Sequence, residues 1–161
     1  MEAWTRRMPA VATMLNPALI TLIASVSTEE YRRVAEKSMP LSLIFLITPL
    51  VLHKDTRIVL PSTTATHLAK WVSEHPVIWA GFPERAKQCV PFIWEGLRFG
   101  TRHGVLAVAP GGLVSVPAPH KGKPPVAGDI ASIVRASGLL GRWLTKIDNS
   151  ETAYALFGVT P

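Results

Sequence analysis

Val105-Leu106-Ala107-Val108-Ala109-Pro110-Gly111-Gly112-Leu113-Val114-Ser115-Val116 is the stretch where the hydrophobic period of this chain changes. Two short β-type runs, 105–109 and 113–116, flank a Pro-Gly-Gly turn, the pattern of a hairpin with a glycine-containing loop. A lone hairpin is marginal in water, so this one must lie on something else. Nearly everything else with a clear period reads as helix. The predicted fold is therefore mainly α: a single compact helical domain with one β-hairpin. Helices followed by a hairpin make it winged-helix-like in order.

Upstream, Asn16-Pro17 predicts a helix start, with Asn as N-cap and Pro at the first helical position. Ala18, Leu19, Ile20, Leu22 and Ile23 follow, so the first half of this helix is expected to be buried and the half through Lys37 solvated. Pro40 opens a second helix to about His53, kinked at Pro49. A turn of helix over 56–60 ends at Pro61. A third helix is expected over 63–75, capped by Ser62, with Ala65, Leu68, Trp71 and Val72 at helical spacing. A fourth spans 84–103, with Ala86, Cys89, Val90, Ile93, Trp94 and Leu97 on its apolar face. Pro91 either kinks or divides it, and Gly104 stops it.

Downstream of the hairpin, four prolines, two lysines and His120 mark a loop. A long helix over 129–147 follows, with Arg135, Arg142 and Lys146 away from its apolar stripe. Asp148 and Glu151 have capping-box spacing and open a last helix through Phe157. The expected organisation is one domain over 1–161. It comprises a helical part (15–103), the hairpin as a wing (105–116), a Pro/Lys loop (117–127) and C-terminal helices (128–161).

Composition bounds the function. Charged residues are 17% of the 161, against about 25% in an ordinary soluble domain. Mean hydropathy is +0.25. Disorder is excluded, since it needs low hydrophobicity and high net charge. Some apolar surface is expected to be covered by another molecule. The net charge is +6, which permits contact with nucleic acid or an acidic partner without requiring either. The single Cys89 cannot form an internal disulfide and fits a reducing compartment. Residues 38–52 are 15 in number and uncharged, shorter than the roughly 20 of a spanning helix. They read as buried core. No leader pattern is seen, and a cytoplasmic protein without membrane contact is expected.

Catalytic patterns are sparse. The phosphate-binding G-x-x-x-x-G-K-[ST] run, G-x-S-x-G and H-E-x-x-H do not occur. The five histidines lack a second ligand at metal-binding spacing. Cys89 reads as a small buried hydrophobe. Glu29/Arg33 and Glu95/Arg98 read as solvated helical pairs. The cluster His53-Lys54-Asp55-Thr56-Arg57 reads either as a helix-end cap with local ion pairs or as a partner-binding patch. No catalytic residue, cofactor or metal is expected.

For nucleic acid, Arg98 and Arg102 precede the hairpin and Lys121 and Lys123 follow it, a placement suited to phosphate contacts. The fourth helix, however, carries Phe92, Trp94, Leu97 and Phe99 where base reading needs polar side chains. Non-specific DNA contact fits better than sequence reading. The same apolar excess suits a protein interface.

Four blocks in order carry a family resemblance. They are Leu15-Asn16-Pro17-Ala18; Met39-Pro40-Leu41 through His53-Lys54, Thr56-Arg57 and Leu60-Pro61; Gly81-Phe82 with Glu84-Arg85-Ala86; and Gly141-Arg142-Trp143-Leu144 with Tyr154 to Val159 and Pro161. With these the chain resembles the middle component of bacterial three-component ABC systems. The resemblance implies a small non-catalytic adaptor accompanying an SMC-like or Rad50-like ABC ATPase and an effector protein, in systems similar to Lamassu-type antiphage defence. ATP and Mg²⁺ would then belong to the ATPase. Expected exposed contacts to the partner are His53, Lys54, Arg57, Arg142 and Lys146, while Leu43, Ile44, Leu46, Leu140 and Leu144 are expected in the core. The alternative is a homodimeric winged-helix DNA-binding regulator.

Overall fold

The computed structural model describes residues 15–116 and 127–159. Its organising element is α1 (Pro17–Ala35), which starts where Asn16 caps it, the Asn16 side chain accepting a hydrogen bond from the Ala18 N–H at 2.8 Å. A 3-10 turn (Leu41–Leu43) runs into α2 (Ile44–Leu52), followed by the short α3 (Lys54–Val59). Then come α4 (Leu68–Glu74), α5 (Pro76–Trp79) and the long α6 (Phe82–Arg102). Strands β1 (Leu106–Ala109) and β2 (Gly112–Ser115) precede α7 (Gly128–Leu144) and α8 (Ser150–Leu156). Among the described residues the fold is thus mainly helical with one two-stranded antiparallel hairpin.

The helix α1 lies between α6 and α7. Small residues allow the close approach on both sides. A Cβ at Gly96 of α6 would sit 2.5 Å from Ile20, and one at Gly141 of α7 would sit 2.3 Å from the Ser27 carbonyl oxygen. Thr21 fixes the first crossing by donating its hydroxyl to the Gly96 carbonyl at 2.7 Å. The apolar α2 fills the space beneath, with Ile44, Leu46, Ile47 and Leu50 fully buried. Leu43, Leu140 and Leu144 are buried as expected.

The hairpin pairs Leu106 with Ser115 through Ala109 with Gly112. Leu106 and Leu113 bury it against the helices, and the Ser25 and Ser115 hydroxyls meet at 2.9 Å. Met39 pairs with Leu113 through two backbone hydrogen bonds, extending the ladder by one residue. Gly112 is obligatory there: its φ is +152° and a Cβ would lie 2.0 Å from the Met39 carbonyl oxygen.

Three expectations are corrected. Residues 63–67 are not helical; α4 begins only at Leu68 with His67 as N-cap, so Ser62 caps nothing. The indole N–H of Trp143 donates to the Thr66 carbonyl at 2.7 Å, and Lys146 donates to that of Thr64. Those carbonyls serve tertiary contacts instead of a helical ladder. The last helix is capped by Asn149, whose side chain accepts from the Thr152 N–H at 2.8 Å, rather than by Asp148. The pairing Glu29/Arg33 is replaced by Glu29–Arg32 and Glu30–Arg33 at 2.9 and 2.7 Å. The helix over Pro91 is undivided.

Candidate functional site

The run His53-Lys54-Asp55-Thr56-Arg57 forms the junction between α2 and α3. The His53 ring nitrogen Nδ1 accepts from the Thr56 N–H at 3.3 Å and lies 2.9 Å from the Thr56 hydroxyl, capping α3. Burial, then the nearby Arg85 charge, lower the His53 pKa from 6.5; Asp55 opposes this and Arg57 adds to it. Arg57 turns back instead of outward. Its Nη1 donates to the Val51 and Leu52 carbonyls at 2.7 and 3.0 Å, and its Nε donates to the Ser132 hydroxyl at 3.2 Å. Its Nη2 pairs with Asp129 at the start of α7. The Arg57 side chain is only 3% exposed. The expectation of an exposed Arg57 is therefore corrected. The last carbonyls of α2 have no helical partner, and this guanidinium satisfies them.

The Gly141-Arg142-Trp143 run is also internal in part. Gly141 permits the α1–α7 contact, and Trp143 is buried edge-on to Trp71 with ring centroids 5.4 Å apart. Arg142 is half-exposed and pairs with Glu30. Burial raises the Glu30 pKa, but the hydrogen bonds from Arg142 and Arg33 outweigh it and hold the net value below normal. Lys146 is exposed, as is Lys54, and Lys146 is tethered to the Thr64 carbonyl. The structure brings Arg57 and Arg142 to one hollow, together with Arg135, and leaves His53, Lys54 and Lys146 outside its lining. Arg98 and Arg102 are exposed near the end of α6. Lys121 and Lys123 lie outside the described residues.

On the other side of the molecule, α6 presents a second outward stripe. Pro83, Lys87, Val90 and Trp94 recur at spacings of four, three and four, so they share one face. With Phe45, Leu41 and Val159 they line a mostly apolar groove of about 760 Å³ between α6, the 3-10 turn and the end of α8. Trp94 is 41% exposed and rests on Phe45, ring centroids 5.3 Å apart. The Tyr154 hydroxyl donates to the Ser42 carbonyl at 2.8 Å, and both residues line the groove. Other tryptophans are spent inward: Trp71, Trp79 and Trp143 form a packed cluster with Phe82 and Phe157. Sequence reading assigned Trp94 to the same apolar face as Ile93 and Leu97. The clue to separate them was the 83/87/90/94 spacing, offset from the buried Ala86, Ile93 and Leu97.

A family model described as ABC-three component (ABC-3C) system Middle Component 3 matches residues 4–161. The chain belongs to this family. No match was found among curated proteins or among solved structures. In this middle component, the blocks around Arg57 and Trp143 build helix junctions, while the groove around Trp94 is surface. Among the described residues, no three or more His, Cys, Asp or Glu side chains gather as a metal site. Cys89 is partly buried, and burial raises its thiol pKa against the opposing Arg85 charge. Among the described residues no helix is long and apolar enough to cross a membrane.

Proposed function

We propose that this chain is a non-catalytic adaptor subunit that joins an SMC-like or Rad50-like ABC ATPase to an effector in a three-component antiphage defence complex of the Lamassu kind. Membership of the middle-component family supports a role among protein partners. The observation that carries the reading is the groove around Trp94, which leaves a large aromatic side chain half in water. Grooves of this shape take the apolar face of an amphipathic helix, and Trp is a frequent anchor of binding energy. The occupant is a helical segment of the ATPase subunit. In this reading ATP and Mg²⁺ belong to that subunit, as the family resemblance implies. The complex works in the cytoplasm in association with DNA.

The test is co-purification of tagged chain with the ATPase and third component of its own system. Trp94→Glu and Val90→Glu should each remove the ATPase while the isolated variant melts cooperatively. A complex that survives both substitutions overturns the groove as the docking surface. An isolated chain that runs as a homodimer and binds short duplexes with a steep salt dependence would favour the winged-helix regulator instead.

A further inference from the structure

The hollow that gathers Arg57, Arg135 and Arg142 lies between the second half of α1, the loop after α3 and the outer face of α7, and measures about 570 Å³. Ser132, Arg135, Leu139 and Arg142 recur along α7 at spacings of three, four and three, so one helix face supplies much of the wall. Two arginines are held in place from within the protein. Arg57 is fixed by two carbonyls, Ser132 and Asp129; Arg142 is fixed by Glu30, which Arg33 also engages. Arg135 is exposed and has no ion pair with a described residue. Of the charged residues that line the hollow, Arg57, Arg135 and Arg142 stand against Glu30 alone, which leaves two positive charges; Asp129, which pairs with Arg57, and Arg33, which pairs with Glu30, lie outside the lining.

We infer that this hollow binds a phosphoryl group, as free phosphate or as a small phosphate monoester. A guanidinium matches phosphate oxygens with two parallel N–H donors. A monoester carries about −1.5 to −2 charge at neutral pH, which balances the surplus; one carboxylate does not. The Ser132 oxygen accepts from Arg57, so its own O–H is available to donate to a ligand. The volume exceeds that of a phosphate and falls in the usual small-molecule range of about 300–1,000 Å³. Leu60, Pro61 and Leu139 provide apolar wall for an organic body. The inference is independent of the docking groove, which lies on the opposite helix and shares no lining residue with it.

Calorimetric titration of the full chain with inorganic phosphate, adenosine 5′-monophosphate, an unphosphorylated single-stranded oligonucleotide and a glutamate-rich peptide tests it. Saturable heat is expected with the two phosphate probes, weaker at pH 5, where the monoester has lost part of its charge. Tighter binding of the monophosphate assigns a monoester; equal or tighter binding of inorganic phosphate assigns the free ion. Arg135→Ala should weaken either by about tenfold or more with an unchanged melting temperature, and Arg135→Lys should restore part of it. No heat with either phosphate probe, undiminished binding by Arg135→Ala, or binding of the oligonucleotide or peptide alone overturns the inference.

Discussion

Helices α6 and α7 flank α1 in the same manner, each brought close by a glycine, yet they turn different chemistry outward. The α7 side is a clamp. Arg57 ties α2 and α3 to the start of α7, Arg142 ties α7 to α1, and Trp143 ties it to the loop before α4. The α6 side carries an apolar stripe that ends in a half-exposed tryptophan. The most motif-like runs of the sequence are those whose side chains are fixed by several partners at once. The surface best suited to another protein takes its central residues, Lys87, Val90 and Trp94, from a stretch with no distinctive motif, and its rim from the motif-like blocks.

That contrast is most directly broken at the two tryptophans. Trp143→Ala should lower unfolding free energy by about 3–5 kcal/mol, read by urea denaturation, since the ring is buried and its N–H bonds to a carbonyl. A loss near 1 kcal/mol would show that α7 is not the clamp described. Arg57→Ala comes next, at about 1–3 kcal/mol, because two helix-end carbonyls and the Asp129 carboxylate lose their donor. Arg57→Lys should recover only part, since one ammonium cannot reproduce the guanidinium fork.

His53 sharpens the comparison through pH. Its folded pKa lies below the unfolded value of 6.5 because burial and Arg85 disfavour the cation. The neutral ring that caps α3 therefore contributes stability above pH 6.5, lost as pH falls through the lower folded value. A melting profile from pH 7.5 to 5 should decline, and His53→Asn, a neutral capping side chain, should flatten that decline. An identical slope in the variant would remove His53 from the clamp. The smallest effect is expected at Trp94→Ala, about 1 kcal/mol for the lost contact with Phe45, measured by the same denaturation. A cost as large as that of Trp143→Ala would make the groove tryptophan a core residue.

Elements with local determinants were legible in the sequence. Asn16-Pro17 placed the start of α1, the Pro-Gly-Gly turn placed the hairpin, and the uncharged 38–52 run placed the buried α2. What failed depended on distant partners. The helix drawn over 63–67 is replaced by a loop whose carbonyls receive Trp143 and Lys146, both about 80 residues away. Arg57 read as solvent-facing because two of its four acceptors, Ser132 and Asp129, are more than 70 residues away; the other two are the end carbonyls of α2. Arg57 and Arg142 were both named as contacts, but their meeting with Arg135 in one hollow depends on the packing of α3 against α7.

The position of α1 has a consequence for how the chain is made. The partner on one side begins about 65 residues after it and the partner on the other about 110 residues after it. At about 5–20 residues per second, roughly 5–20 s pass between the synthesis of Pro17 and that of α7. The Met39–Leu113 pairing likewise waits for a distant segment. During that interval the face of α1 that meets α7, around Ser27 and Glu30, lacks its native cover. Slow codons placed before α7 would lengthen that exposure.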